Sequence, residues 1–373
     1  MYRKRLALVA LAAAAAVGIL GTAAGAATKA EGSQKLTKVT LQLKWVTQAQ
    51  FAGYYAALDQ GYYKDEKLDV TILPGSASNT PEHVVADGGA EFGLDWLPSL
   101  LVQRDSDVNL VNIAQVFTRA GVTEVTWKDS GLTTIAQLRG KRVGVWCCGN
   151  QYQLFAALVK NGIDPNNPAD VQIIYQPFDT SLFLSRQLDA AAAMTYNELA
   201  QVLETENPAT GELYQLSDLN VIKLAEVGTG MLEDGIFVRG EWIADAENQD
   251  IARRFLKATF KGWVFCRDHF AECLQIVLSH DPTLGVGHQR WQLNEVNALI
   301  WPAPLGVGVM DPAQFTNTVD ISLEFGVIKS PPTGDVARVD LAQAAVAALK
   351  QEGVDVNGAN YQKPVVEETP GGK

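Results

Sequence analysis

The sequence predicts an α/β fold in two lobes, each built around a mainly parallel β-sheet. Strand-like segments alternate with helix-like segments along most of the 373-residue chain, a pattern typical of parallel sheets that carry helices on both faces. The chain is also longer than one hydrophobic core usually supports, which favours two domains. The alternation forms two series, and the chain crosses between them twice, so we expect a hinge made of two crossing segments.

The first series begins with an alternating strand. Val39, Leu41, Leu43 and Trp45 would share one face of this strand, because side chains in a β-strand repeat every two residues. Later, Thr80 and Pro81 have the pattern of a helix start. In order, the predicted elements are a strand at 39–45, a helix at 51–61, a strand at 68–73, a helix from 80, a strand at 91–95, a helix at 97–104, and strands at 108–117 and 123–127.

The second series begins at Thr134, whose capping-box partner would be Gln137. Its elements are strands at 142–146, 171–175 and 190–196, with helices at 152–162, 179–189 and 199–204. A mainly helical segment after Gly235 would return the chain to the first lobe. We place the crossings near 127–131 and 233–239. The predicted domains are lobe 1 at 36–127 and 236–357, lobe 2 at 128–235, and a polar tail at 358–373.

The first 26 residues have the pattern of a secretory signal peptide. Arg3, Lys4 and Arg5 precede an apolar run that ends in small residues at Ala24 and Ala26. This run is short of the ~20 apolar residues that a membrane span needs. We therefore expect cleavage after Ala26 and export to the periplasm or the outer face of the cell membrane.

Charge excludes one class of partner. The formal net charge is −12, and removal of the signal peptide leaves 27 basic and 42 acidic residues. A chain this acidic is an improbable partner for nucleic acid, which binds through basic surfaces. We expect a monomer that binds no nucleic acid.

Four cysteines are present, and no local disulfide is expected between them. Cys147 and Cys148 are neighbours, whereas Cys266 and Cys273 lie seven residues apart in a helix-like segment. Two turns of a continuous helix would separate the second pair by about 10 Å, which is beyond the reach of a disulfide. Pairing across the fold stays open. For Cys147 and Cys148, packing or a place in the pocket lining is favoured over a metal or redox site.

The loops that follow the strands carry an unusual mixture of side chains. Ligands of open α/β sheets bind beyond the carboxyl ends of the strands. There, large aromatic residues occur beside amides and carboxylates, a combination that suits stacking on a flat ring and hydrogen bonding to its edge. The candidate ligand-binding residues are Lys44, Trp45, Gln48, Asp95, Trp96, Asn150, Tyr152, Tyr196, Asn197 and Glu198.

Each aromatic residue at a strand end has an alternative role in completing the core. Trp127, Trp242, Trp263 and Trp291 are assigned to packing. Asp234, just before the second crossing, is a weaker candidate for the cleft.

Catalytic groups are few. The four histidines lie outside these loops, where solvated or capping roles are favoured, so no general base or triad can be assembled. Glycine-rich phosphate-binding motifs are missing from the sequence, which argues against nucleotide hydrolysis. We therefore expect no cofactor, no metal site and no enzymatic activity.

The opening segment LQLKWVTQAQFAGYYAALDQGYYKDEKLDVTI, together with WCCGNQYQ and AMTYNELAQVLE, resembles solute-binding proteins related to the fungal thiamine-pyrimidine synthases. The resemblance extends from Thr40 to about Gly326, and AMTYNE is similar to the subgroup that includes riboflavin-binding components. It implies a type II periplasmic-binding-protein fold and delivery of ligand to an ABC permease. The fungal enzymes carry three consecutive cysteines before Phe-Gly, whereas this chain has two cysteines followed by Gly149 and Asn150.

From the residues and the resemblance together, we expect an extracytoplasmic binding protein that captures a small planar heteroaromatic molecule for an ABC importer. Riboflavin is the expected ligand, and a formylaminopyrimidine-type thiamine precursor is the alternative. An aliphatic sulfonate ranks third because these loops contain one cationic side chain, that of Lys44. A thiamine-pyrimidine-synthase-like enzyme and a periplasmic sensor module are further alternatives.

Overall fold

The computed structural model describes residues 35–373 of the chain. These residues contain ten strands and fourteen α-helices. The predicted signal peptide lies outside these residues. The strands are β1 (Thr37–Gln42), β2 (Leu68–Leu73), β3 (Phe92–Asp95), β4 (Leu110–Gln115), β5 (Val122–Trp127), β6 (Arg142–Val145), β7 (Gln172–Tyr175), β8 (Ala190–Met194), β9 (Leu219–Lys223) and β10 (Gly235–Arg239).

The helices lie between these strands and, after β10, form a long C-terminal series. They are α1 (Ala52–Asp59), α2 (Tyr62–Asp65), α3 (Pro81–Ala86), α4 (Leu97–Asp105), α5 (Tyr152–Lys160), α6 (Ser181–Leu184), α7 (Glu198–Leu203), α8 (Leu224–Val227), α9 (Gly240–Ile243), α10 (Ala246–Asp268), α11 (Phe270–His280), α12 (Val286–Ile300), α13 (Pro312–Glu324) and α14 (Asp340–Gln351).

The strands form two sheets of five, in the orders β2-β1-β3-β10-β4 and β7-β6-β8-β5-β9. In the first sheet β1 pairs in parallel with β2 and β3, while β10 is antiparallel to both of its neighbours. In the second sheet β6 pairs in parallel with β7 and β8, while β5 is antiparallel to both of its neighbours. Four strands of each sheet therefore run in one direction, which confirms the predicted α/β architecture with mainly parallel sheets.

The antiparallel strand of each sheet is the one that the chain forms immediately after crossing over. Strand β5 belongs to the second sheet, although the predicted boundary at residue 127 placed it in lobe 1. Its sequence, VTEVTW, is buried throughout, so the local pattern indicates an interior strand but not the sheet that the strand joins. The first crossing thus lies between β4 and β5 and precedes Val122.

Local signals at the helix starts are confirmed. Thr80 is the N-cap of α3, with Pro81 as its first residue. Thr134 and Gln137 form the predicted capping box, which starts a short 3₁₀ helix at Ile135–Leu138.

The prediction for the second cysteine pair is wrong because the helix that carries it is not continuous. Helix α10 ends at Asp268, and His269, with φ −126° and ψ 58°, breaks the helix before α11 begins. The bend brings the Cα atoms of Cys266 and Cys273 to 5.0 Å, and the two residues form a disulfide.

The predicted polar tail is partly ordered against the rest of the chain. The amide N–H of Gly371 donates to the carbonyl oxygen of Glu204 at 2.8 Å, and Asn294 of α12 donates to the carbonyl oxygen of Pro364 at 2.9 Å. The last residues therefore lie across α12 and reach α7. Among the residues that the structure describes, no helix has both the length and the apolar character that a membrane crossing requires.

Helices α1 and α10 pack without room for side chains at their closest point. A Cβ atom added at Gly262 would overlap the carbonyl oxygen of Gly53, and one added at Gly53 would overlap the indole of Trp263. We predict that Gly262→Ala lowers the free energy of unfolding by about 1–3 kcal/mol, because the two helices must separate. Urea denaturation measures this loss.

The matched control is Gly89→Ala, whose new Cβ would meet Val84 at 3.2 Å. We expect this substitution to cost less than Gly262→Ala. An equal or smaller loss for Gly262→Ala would contradict the close packing of α1 on α10.

Candidate functional site

A cleft of about 740 Å³, counting the space that opens to solvent, lies where loops from both sheets meet. Loops at the carboxyl ends of β1, β2, β3, β6, β7 and β8 contribute to it, as expected for this architecture. The lining residues are Lys44, Trp45, Gln48, Gln50, Ser76, Ala77, Asn79, Thr80, Pro81, Asp95, Trp96, Trp146, Cys148, Asn150, Phe178, Met194, Tyr196, Asn197 and Glu198.

Nine of the ten residues proposed from the sequence line this cleft, and Tyr152 does not. Tyr152 is the first residue of α5, and its ring packs beside a small apolar cluster of Ala156, Met231 and Ile321. Burial and the nearby charges of Glu82 and Asp95 raise the pKa of Tyr152, so its hydroxyl lies close to the lining without being part of it.

The cationic group of the cleft is held by a carboxylate. The Lys44 ammonium forms an ion pair with Asp95 and lies 4.7 Å from the centroid of the Trp96 ring. Burial alone would lower the pKa of Lys44, but the charge of Asp95 and its hydrogen bond raise it. Asp95 also accepts a hydrogen bond from the amide of Trp96 at 2.6 Å. Lys44 is therefore charged, and Asp95 neutralises it.

Asp234 lies behind the lining and fixes two of its residues. Its carboxylate accepts hydrogen bonds from the Trp96 indole at 3.0 Å and from the Gln50 amide at 2.8 Å. Gln48 in turn donates to Gln50 at 2.7 Å. Burial raises the pKa of Asp234 to about 6. Asp234 is thus a positioning residue, whereas the sequence analysis considered it for the cleft itself.

Glu82 is a buried acid that sequence reasoning missed. It lies in the first turn of α3, and its carboxyl oxygens are buried without a hydrogen-bond partner in the described part of the chain. Burial and the nearby charge of Asp95 raise its pKa well above the ordinary range. A buried carboxyl group with a raised pKa therefore lies beside the pair of Lys44 and Asp95. Its position directly after Thr80 and Pro81, which line the cleft, is the feature of the sequence that could have identified Glu82.

On the opposite wall, Glu198 and Asn197 are bonded to each other. The Glu198 carboxylate accepts from the Asn197 amide at 2.7 Å and from the backbone N–H of Met194 at 3.0 Å. Burial raises the pKa of Glu198. These contacts fix both side chains at the end of β8, where the sequence predicted them.

The adjacent cysteines also form a disulfide, which the sequence analysis did not expect. Cys147 and Cys148 are linked, and Cys148 has a φ of 66°, a value that few residues other than glycine adopt. Cys148 lines the cleft, which agrees with the pocket-lining role considered for it. The Asn150 amide donates to the carbonyl oxygen of Cys147 at 2.9 Å, so the loop is fixed by covalent and hydrogen bonds.

Two aromatic rings from different sheets meet at the cleft. Trp45, after β1, and Phe178, after β7, have ring centroids 4.4 Å apart at an angle of 43°. Sequence reasoning missed Phe178 because the segment around it was assigned only to the start of a helix. Its position three residues beyond the end of β7 is the feature of the sequence that could have identified Phe178.

Tyr196 is 2% exposed, and its ring meets that of Phe117 edge-on at a centroid distance of 6.2 Å. Tyr196 therefore belongs to the core as well as to the lining.

Helix α12 connects the two sides of the site. Gln289 and Gln292 accept hydrogen bonds from the backbone amides of Ala49 at 2.7 Å and Gln50 at 3.1 Å. His288 bonds through Nε2 to Asn197 at 2.9 Å and through Nδ1 to Glu204 at 2.9 Å. The solvated or capping role expected for this histidine is therefore wrong, since it positions a lining residue.

A second buried carboxylate joins the two chain crossings. Glu233, in the second crossing, accepts hydrogen bonds from the amides of Gly121 at 2.9 Å and Val122 at 3.2 Å in the first crossing. It also accepts from the Gln153 side chain of α5 at 3.0 Å. Burial outweighs these bonds and raises the pKa of Glu233 to about 8.

This carboxylate makes stability depend on pH. The pKa values of Glu233 and Asp234, about 8 and about 6, exceed the ordinary values of 4.5 and 3.8. The folded chain therefore binds more protons than the unfolded chain in this range, so the free energy of unfolding falls as pH rises from about 5 to about 8. We predict a shallower fall in Glu233→Gln, which cannot lose a proton. Urea denaturation at several pH values measures the slope.

The control for that prediction is Glu226→Gln. The Glu226 side chain is 71% exposed and pairs with Lys223 on the surface, so we expect the wild-type slope. The same slope in Glu233→Gln as in wild type would contradict the assignment of proton uptake to Glu233.

The sequence of this chain is similar to a protein-family model and to several known proteins. The family model described as "NMT1/THI5 like" matches residues 48–272. A riboflavin-binding protein, RibY, of Chloroflexus aurantiacus is 24% identical over 83% of this chain and 85% of its own length. A formylaminopyrimidine-binding protein of Halalkalibacterium halodurans is 21% identical over 71% of this chain and 77% of its own.

Another relative is named as an enzyme. The 4-amino-5-hydroxymethyl-2-methylpyrimidine phosphate synthase of Candida albicans is 24% identical over 66% of this chain and 72% of its own length.

Among solved structures, the putative periplasmic sulfonate-binding protein SsuA of Methylobacillus flagellatus superposes with a TM-score of 0.60. It is 14% identical and covers 86% of this chain and 97% of its own. This likeness confirms the predicted periplasmic-binding-protein fold.

Proposed function

Since this chain belongs to the NMT1/THI5-like family, we propose that it is the solute-binding component of an ABC importer and binds riboflavin between its two lobes. The observation that carries the proposal is the composition of the cleft. Trp45, Trp96, Phe178 and Tyr196 surround it together with amides and carboxylates. Aromatic faces stack on a flat ring system, and the polar groups bond to its edge.

The contacts around the cleft support a site that closes on its ligand. Lining residues come from loops of both sheets, and two chain crossings connect the sheets. Binding proteins of this architecture hold the ligand between lobes that move about such crossings. The lining side chains are held by hydrogen bonds to residues behind them, including Asp234 and His288. Preorganised side chains lose less freedom on binding, which favours affinity.

A binding role is proposed in preference to catalysis. The one reactive group near the cleft that the sequence suggested, the pair of Cys147 and Cys148, is a disulfide, so neither sulfur is a free nucleophile. His288, which bonds to the lining residue Asn197, has both ring nitrogens bonded to side chains. The relative from Candida albicans is a synthase, and a synthase activity is the less favoured function.

A thiamine pyrimidine precursor is the second candidate ligand. The relative from Halalkalibacterium halodurans is a formylaminopyrimidine-binding protein. Acceptors for the amino group of such a ring are present in the lining, at Asp95, Asn197 and Glu198.

We propose further that the chain is exported, acts as a monomer and delivers its ligand to a membrane permease.

Titration of the purified chain from residue 27 onwards with riboflavin tests the proposal. We expect saturable quenching of flavin fluorescence and a rise in melting temperature, because a ligand that binds the folded state stabilises it. The formylaminopyrimidine is titrated in parallel by melting temperature alone. A response to the pyrimidine without one to riboflavin would replace the first ligand by the second, and no response to either would refute vitamin binding.

The two rings that meet across the cleft give a sharper prediction. We expect Trp45→Ala and Phe178→Ala each to weaken riboflavin binding by at least about 1 kcal/mol, or about fivefold in Kd, because a stacking surface is lost. The control is Tyr175→Ala, since Tyr175 lies at the end of β7 but is 62% exposed and outside the lining. Unchanged Kd in both cleft variants would contradict ring stacking.

A further inference from the structure

We propose that Asp95, by pairing with Lys44, makes this cleft select an uncharged ligand over the phosphate monoester of the same ligand. The inference rests on the proposed function and names the substrate class within it. Riboflavin and its 5′-phosphate, FMN, share a ring system and differ by one phosphate group. That group carries about −1.5 to −2 charges near neutral pH.

The charges of the cleft are the first argument. Lys44 is the one basic residue in the described lining, whereas Asp95 and Glu198 are acidic. The ammonium of Lys44 is already bonded to Asp95, and both side chains are largely buried, at 12% and 5% exposed. A phosphate group that bound to Lys44 would have to displace Asp95 from its partner and leave that buried carboxylate without a counter-charge, which is costly.

The surroundings of Lys44 strengthen this exclusion. Besides Asp95, the acids Glu82 of α3 and Asp234 of the second crossing are near enough to act on its charge. Any further negative charge placed beside Lys44 would meet the carboxylates of Asp95 and Asp234 and one cation that is already paired.

Backbone donors, which can replace a cation at an anion site, are largely used by the chain itself. The amide of Leu97, at the start of α4, donates to the carbonyl oxygen of Leu232 at 3.0 Å. The amide of Gly149, before α5, donates to the side chain of Gln151 at 3.0 Å. Helix α3 begins with Pro81, which has no N–H to offer. The helix starts around the cleft are thus poorly suited to hold a phosphate.

The experiment compares the Kd of the wild-type protein for riboflavin and for FMN by fluorescence quenching at pH 7.5. We expect FMN to bind at least about 100-fold more weakly, equivalent to about 2.8 kcal/mol. Equal affinities would overturn the inference and leave the proposed function standing.

Three variants test whether Asp95 is the selecting residue. Asp95→Asn keeps the shape of the side chain but leaves Lys44 without its counter-charge, so we expect the ratio of the two Kd values to fall about tenfold. Adding Lys44→Met to Asp95→Asn removes the cation again and should restore the wild-type ratio. Glu226→Gln removes an exposed surface charge outside the cleft lining, keeps the pair of Lys44 and Asp95, and should leave the wild-type ratio.

The outcomes separate the two proposals. An unchanged ratio in Asp95→Asn, with a melting temperature that shows the variant is folded, would refute the role of Asp95. Failure of folded wild-type protein to bind either flavin would instead refute riboflavin as the ligand. In that case the same comparison is made with 4-amino-5-hydroxymethyl-2-methylpyrimidine and its phosphate. Preference for the phosphate in that pair, or binding of neither compound, would overturn the inference.

Discussion

Two consecutive buried carboxylates, Glu233 and Asp234, are the constraint on which the arrangement of the lobes and the site depends. Glu233 holds the backbone of the other crossing through Gly121 and Val122, while Asp234 holds Trp96 and Gln50 in the cleft lining. Buried carboxyl groups are costly unless they are hydrogen-bonded. Their bonds therefore favour one relative position of the crossings and the cleft walls, and these two residues connect the crossings with the site.

The chemistry of the cleft follows from the topology of the sheets. Each sheet has four strands in one direction, and the residues that follow several of these strands line a common space. Helix α12 adds a second layer of contacts, since Gln289 and Gln292 bind one loop and His288 binds another. Large aromatic side chains can then line a cleft in fixed conformations, because hydrogen bonds to a second layer of residues hold the loops that carry them.

Most of the fold could be predicted from sequence, because alternation of strands and helices is a local signal. The strand at 122–127 was assigned to the wrong sheet because the local pattern indicates only a strand, whereas its partners, β8 and β9, lie far along the chain. The disulfide of Cys266 and Cys273 was missed because one residue, His269, interrupts what would otherwise be a continuous helix. Tyr152 packs beside Met231 and Ile321 instead of lining the cleft, and these contacts join residues far apart in the sequence.

The sequence by itself determined the α/β class, the order of the elements and the loops that carry aromatic and polar residues, because these depend on residues close together in the chain. Tertiary structure decided which side chains meet. Phe178 contacts Trp45, His288 bonds to Asn197, and Glu82 lies beside Lys44 and Asp95. Each of these contacts joins residues far apart in the sequence, so its distance and burial exist only once the sheets, crossings and helices have packed.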